Sequence, residues 1–197
     1  MKSNFPSEWE GSGYSKASWE GVAFLLKKWI LPIMDGTELE QGARVLECGI
    51  GSGKWSAAFA LLNCEVYAMD FCEEILEMAK SNFPNIKMKY VLKDAREMTY
   101  RNKFDLITSE GVFEHFLDDE ERSLVLSNWY KALKKGGYLL VIIPNESKEK
   151  GELSFTVEGL KKEVENSGFT TQKTFSNSFI SADGKTEKVM IGVLSRK

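Results

Sequence analysis

Between residues 43 and 54 a short apolar run ends in three glycines separated by single residues, Gly49, Gly51 and Gly53, and a helical pattern follows at once. A strand that stops on glycines and reverses into a helix restricts the fold strongly. Glycine there permits positive φ and lets backbone approach a ligand with no Cβ in the way. The alternation then repeats. Residues 65–69 read as a strand ending at Asp70, and Cys72, Ile75, Leu76, Ala79 and Phe83 form a stripe of helical period. Residues 86–92 make a third strand, closed by Asp94, and residues 104–108 a fourth. A helix is predicted over 118–135, with acids in its first turn, lysines near its end and Gly136-Gly137 as its stop. The nearly all-apolar run 138–143 is a fifth strand, of the kind covered on both faces.

The remainder changes style. Residues 145–154 read as a polar loop, Val157, Leu160 and Val164 as one face of a short helix, and 169–179 and 187–194 as two strands. The connection 181–186 carries Asp183-Gly184, a hairpin signal. Alternating β and α elements imply a mostly parallel sheet with helices on both faces, here finished by an antiparallel pair. Ahead of the first strand, residues 14–34 read as a helical preface with Trp19, Val22, Leu26 and Trp29 on one face, closed by Pro32 and Gly36. It either covers the edge where strand ends meet ligand or packs on the flank of the sheet. The aromatics Phe5, Trp9, Tyr14 and Trp19 carry the same two readings, cover for an organic acceptor or core.

The glycine loop gains meaning from its acids. Lys54 stands where a dinucleotide fingerprint would place its third glycine, which disfavours a nicotinamide-dependent reductase, and no P-loop pattern follows. Glu47 lies two residues before the first glycine, where it repels a pyrophosphate and suits a ligand with an ammonium group. Asp70 ends the second strand, where a carboxylate accepts from ribose hydroxyls. Asp94 ends the third, within reach of an exocyclic amine. Each acid alone is as readily a cap or a loop residue. Three of them on three successive strand ends frame one ligand.

This set resembles the class I S-adenosylmethionine-dependent methyltransferases. VLECGIGSG at 45–53 looks like their first motif, VYAMD at 66–70 the second, VLKDA at 91–95 the third and FDLITSEGVFEHF at 104–116 the fourth. LKKGGYLLVIIP at 133–144 is similar to the segment around strand five, and residues 155–169 to the late helix leading into strand six. The resemblance runs from residue 43 to the end in the family's order. It implies an α/β fold, a seven-stranded mostly parallel sheet in the order 3-2-1-4-5-7-6 with the last strand antiparallel. It also implies a preface, 1–40, ahead of a Rossmann-like methyltransferase domain, 41–197, and S-adenosyl-L-methionine as cofactor. Carried over by position, Gly49, Gly51 and Gly53 approach the methionyl part and Glu47 helps fix that end. Asp70 takes the ribose hydroxyls with Phe71 beside the adenine, Asp94 and the Ala95 amide meet the adenine ring, and Glu110 contributes backbone near the methionine.

Methyl transfer from a sulfonium is an in-line displacement in which positioning can supply about 7–11 kcal/mol. A general base is needed only if the nucleophile arrives protonated. His115, the one histidine, is the candidate base or acceptor-positioning group, with Glu114 to orient it; the competing reading is that it merely begins the next connection. The acceptor is expected to be a small or medium-sized molecule methylated on oxygen or nitrogen, with a protein or peptide as the second choice. A cofactor-binding regulatory or partner protein without methyl transfer is the alternative function. The net charge of −3 argues against a basic nucleic-acid groove. No apolar stretch approaches the length of a bilayer span, and residues 1–6 carry no apolar leader. Three cysteines with no CxxC pair point to a reducing, cytoplasmic setting, without disulfides and without a metal site.

Overall fold

The computed structural model describes residues 17–145, 152–180 and 187–197. Phe5, Trp9, Tyr14, most of the polar loop and the 181–186 connection lie outside the described residues. Seven strands form one sheet in the order β3-β2-β1-β4-β5-β7-β6, as the resemblance implied. They are β1 (Arg44–Cys48), β2 (Glu65–Asp70), β3 (Lys89–Leu92), β4 (Phe104–Glu110), β5 (Leu133–Pro144), β6 (Thr170–Ile180) and β7 (Glu187–Arg196). The β1–β2, β2–β3 and β4–β5 pairs are parallel, and β7 runs antiparallel to both its neighbours. The residues group into two compact units, one ending at Ala95 and one beginning at Arg96.

In the first unit β1 is buried from Val45 to Cys48, as a strand covered on both faces must be. Helix α3 (Lys54–Leu61) starts directly on Gly53 and buries Trp55, Ala57, Ala58 and Phe59. Helix α4 (Glu73–Asn82) buries Ile75, Leu76 and Ala79. Its acidic first turn and Lys80 near its end both suit the helix dipole. The third strand is shorter than expected, because pairing with β2 begins only at Lys89.

The preface departs from its expected form. Helix α1 (Trp19–Leu25) is capped by Ser18, whose hydroxyl accepts from the Gly21 N–H. It passes through a π-helical turn, Leu26–Ile30, into α2 (Leu31–Met34). Pro32 therefore does not close the helix. It sits in the first turn of α2, where its missing N–H is tolerated, and the Leu31 N–H bonds Leu26, five residues back. The widened turn adds one residue to the period and rephases the buried side. Val22, Trp29, Ile30 and Ile33 are buried, Leu26 is partly buried and Trp19 is exposed. Trp29 meets Trp55 of α3 edge-on at 6.3 Å, and Trp19 meets Phe83 at 5.2 Å. These described residues pack on α3 and on the end of α4.

In the second unit, α5 (Asp119–Ala132) is capped by the Asp118 side chain, which accepts from the Glu120 N–H. It ends three residues earlier than its lysines and glycines predict. Leu133 turns extended at ψ 143° and pairs with Phe104, which draws the chain into β5. Lys134 then reaches both oxygens of Asp105, at 2.8 and 2.9 Å. Gly136, at φ +77°, lies inside the irregular start of β5, so it serves a strand and not a helix stop. Helix α6 (Val157–Asn166) follows, capped by Thr156 and burying Leu160 and Val164. The core holds Trp129, Phe113 and Phe155, with ring centroids 6.1 and 5.9 Å apart along that series.

Candidate functional site

The glycine loop leaves β1 with Gly49 at φ +77°, Gly51 at +50° and Gly53 at +86°. The N–H groups of Gly49 and Ile50 both donate to the Met69 carbonyl, at 2.8 and 3.1 Å, which pins the loop beside the end of β2. Asn82 of α4 donates its side-chain amide to the Ser52 carbonyl at 3.1 Å and fixes the far side. A Cβ on Gly53 would lie 3.2 Å from Ala79 and 3.3 Å from the Phe83 ring, so this glycine lets the loop pack on α4. A Cβ on Gly51 would meet nothing within 4 Å. The loop is therefore supported on one side and open on the other.

Asp70 sits against this loop. It is buried, and its Oδ1 accepts from the Cys72 N–H at 3.0 Å. Burial pushes its pKa up to about 6, although the N–H groups of Cys72, Phe71, Gly51 and Ile50 pull the other way. Phe71, next in sequence, is exposed, as is Leu92 at the end of β3. The Lys93 N–H donates to the Asp70 carbonyl at 2.8 Å, bringing the chain end of β3 alongside. Asp94 is partly buried and Ala95 is buried. Glu47 is only 2% exposed and accepts from the Ser56 hydroxyl. It lies beneath the loop more than on it. Ser56 and Asn82 carried no sequence signal beyond being polar residues on otherwise packed helices.

The second unit holds the other two expected residues. Glu110 ends β4, partly buried, and Gly111 follows at φ +68°. A short 3-10 turn, Phe113–His115, comes next. His115 keeps 39% of its side chain exposed, with Nε2 3.9 Å from Glu152 Oε1. Glu114 points the other way in solvation, at 1% exposed, and burial first, then the charges of Glu152 and Glu110, push its pKa up to about 8. Glu152 lies far along the chain, and no spacing pattern announced it.

A concavity at the opposite ends of β2 and β3 is lined by Asn63, Cys64, Glu65, Ile86 and Lys89. Glu65 there is held near a pKa of about 2 by hydrogen bonds from Lys89 and Arg44, which marks a surface ion-pair cluster and no chemistry. Among the described residues no helix is long and apolar enough to cross a membrane.

Comparison with known proteins bears on the domain and the fold. A family model described as a methyltransferase domain matches residues 46–141. A mouse protein, probable tRNA methyltransferase 9B, is 28% identical over 105 residues, which is 52% of this chain and 22% of that protein. The cypemycin N-terminal methyltransferase of a Streptomyces species is 31% identical over 97 residues, 49% of this chain and 40% of that one. The chain thus spans less than half the length of these curated relatives. Among solved structures, an S-adenosylmethionine-dependent methyltransferase from Clostridium acetobutylicum superposes with a TM-score of 0.72 at 14% identity, covering 96% of both chains.

Proposed function

We propose, from a chain that carries a methyltransferase domain on the class I, Rossmann-like methyltransferase fold, that it transfers a methyl group from S-adenosyl-L-methionine to an oxygen or nitrogen of a small or medium-sized acceptor. The observation that carries the reading is Asp70, a buried carboxylate ringed by backbone amides, beside a glycine loop whose Gly51 faces open space. That pair fits the group: the carboxylate accepts from paired ribose hydroxyls, and Gly51 leaves room for a methionyl chain. Phe71, exposed next to Asp70, is proposed to flank the adenine, with Asp94 and the Ala95 amide on its polar edge. Glu47, held by Ser56, is proposed to support the ammonium end through the loop. The Gly49 and Gly53 turns and the Glu110 backbone complete the proposed set.

The bound cofactor supplies a methyl carbon on a positively charged sulfur, already activated for displacement. What remains for the chain is to bind, align and keep water out, and alignment of this kind can supply about 7–11 kcal/mol. His115 is proposed as base or acceptor-positioning group, and the preface at 1–40 as part of the acceptor cover. The odd count of three cysteines, with no CxxC pair, supports a reducing, cytoplasmic setting.

Calorimetry with S-adenosyl-L-methionine tests the pocket, and formation of S-adenosylhomocysteine over a panel of hydroxyl, amine, peptide and tRNA acceptors tests the chemistry. Binding with turnover on a small acceptor is the expected result; absence of binding defeats the reading. Gly51→Ala is expected to cost about 1–2 kcal/mol of stability, the ordinary penalty of an L residue at positive φ, while abolishing detectable cofactor binding. His115→Ala is expected to slow turnover about 10²–10⁴-fold at saturating cofactor if it serves as base. An unchanged rate removes it from the mechanism.

A further inference from the structure

The turn after β4 and the segment that leads into α6 meet within the second unit. The Leu153 N–H donates to the Glu114 carbonyl at 2.8 Å and holds the two together. This contact brings Glu152 beside His115. One carboxylate oxygen from Glu114, one from Glu152 and one His115 nitrogen all lie within 4.8 Å of one another.

Glu114 separates this group from an ordinary surface cluster. It is 1% exposed, and among the described residues its Oε2 has no hydrogen-bond partner. Buried carboxylate oxygens normally have donors, since leaving one unmatched is expensive. The charges that act on Glu114 from outside its own residue are those of two more carboxylates, Glu152 and Glu110, which offer it no donor when ionised. The approach from solvent is open on one side, because the His115 side chain is 39% exposed and that of Glu152 14%.

A cation held among the three side chains would be ligated by all of them at once. We infer that Glu114, His115 and Glu152 form a binding site for a divalent transition-metal cation, with one nitrogen and two carboxylate oxygens as ligands. The imidazole favours zinc or manganese over magnesium or calcium, which prefer all-oxygen surroundings. Bonds of about 2.0–2.2 Å to a common ion require the three atoms to close in slightly, which side-chain rotation provides. The inference goes beyond methyl transfer and alters one part of that reading. A His115 nitrogen bound to a cation is not a free base, which leaves positioning as its part.

The test uses the full chain, stripped with a chelator and dialysed, with no cofactor or acceptor present. Manganese is titrated and its free ion followed by electron paramagnetic resonance; zinc is titrated by calorimetry, with magnesium as comparator. One manganese or zinc ion per chain is expected, with magnesium binding far weaker. Glu152→Gln and His115→Ala should each weaken binding about tenfold or more. Both residues are part-exposed, so their variants should keep the parent circular dichroism. Glu158→Gln, on an exposed side chain of α6, should bind as the parent does. Substoichiometric binding, or equal affinity in the parent, Glu152→Gln and His115→Ala, overturns the inference and leaves Glu114 a buried protonated acid. Because the readout needs neither cofactor nor acceptor, its failure is distinct from failure of the methyl-transfer reading.

Discussion

Asp70→Ala is expected to weaken S-adenosyl-L-methionine binding about ten- to a hundredfold, the worth of charge-assisted hydrogen bonds of roughly 1.5–3 kcal/mol. Calorimetry at pH 8 checks it, and an unchanged dissociation constant would show that Asp70 serves only its own strand end. The same carboxyl sets a pH dependence. Its pKa of about 6 in the folded chain lies above the ordinary 3.8. Hydroxyl donors need the ionised form, so affinity should be flat above neutrality and fall as pH drops below about 6, by up to about tenfold per unit. The sign for stability is the reverse. The folded state holds this proton more tightly than the unfolded state, so stability declines as pH rises from 3.8 through 6. The deficit above that window is about 3 kcal/mol. Asp70→Asn should therefore melt at a higher temperature than the parent at pH 8 without cofactor, although it binds cofactor more weakly. A variant less stable than the parent there would contradict this.

Trp129→Ala is expected to remove about 3–5 kcal/mol of stability, the usual loss on truncating a buried tryptophan. For a chain of this size that lowers the melting temperature by about 10 °C. The ring is fully buried and packs on Phe113, which packs in turn on Phe155. Phe113 adjoins Glu114 in the same 3-10 turn, so the cavity should also loosen the segment after β4. Trp129→Phe separates packing from polarity. The indole Nε1 is buried with no hydrogen-bond partner among the described residues, and phenylalanine removes that donor while keeping a ring in place. Its loss should be a small fraction of the alanine loss; equal losses would show that a phenyl ring does not fill the place of the indole.

The alternation of strands and helices was readable because β1 and β4 are continuous buried runs while α4 and α6 carry an apolar stripe of helical period, which marks the two apart. The strand-end acids were readable for the same reason: Asp70 breaks an apolar run where that run stops. The end of α5 was misread because Lys134, Lys135, Gly136 and Gly137 imitate a helix terminus. What overrides them is tertiary: Leu133 pairs with Phe104 and Lys134 meets Asp105, on a strand whose place local sequence does not reveal. Pro32 was misread because a helix can widen its turn to accommodate a missing donor. Ser56 beneath Glu47 and Glu152 beside Glu114 went unseen, since each owes its place to folding and not to spacing.

The broadened turn in the N-terminal helix fits one residue more between its two ends than ordinary winding would. Deleting a single residue between Leu26 and Ile30 would therefore restore ordinary winding and leave the segments on either side on their present faces. Val22 would stay turned inward and the indole of Trp19 would stay on Phe83. The same deletion within Trp19–Leu25, where no wide turn absorbs it, would rotate everything upstream by about 100° and cost the leading segment its seat.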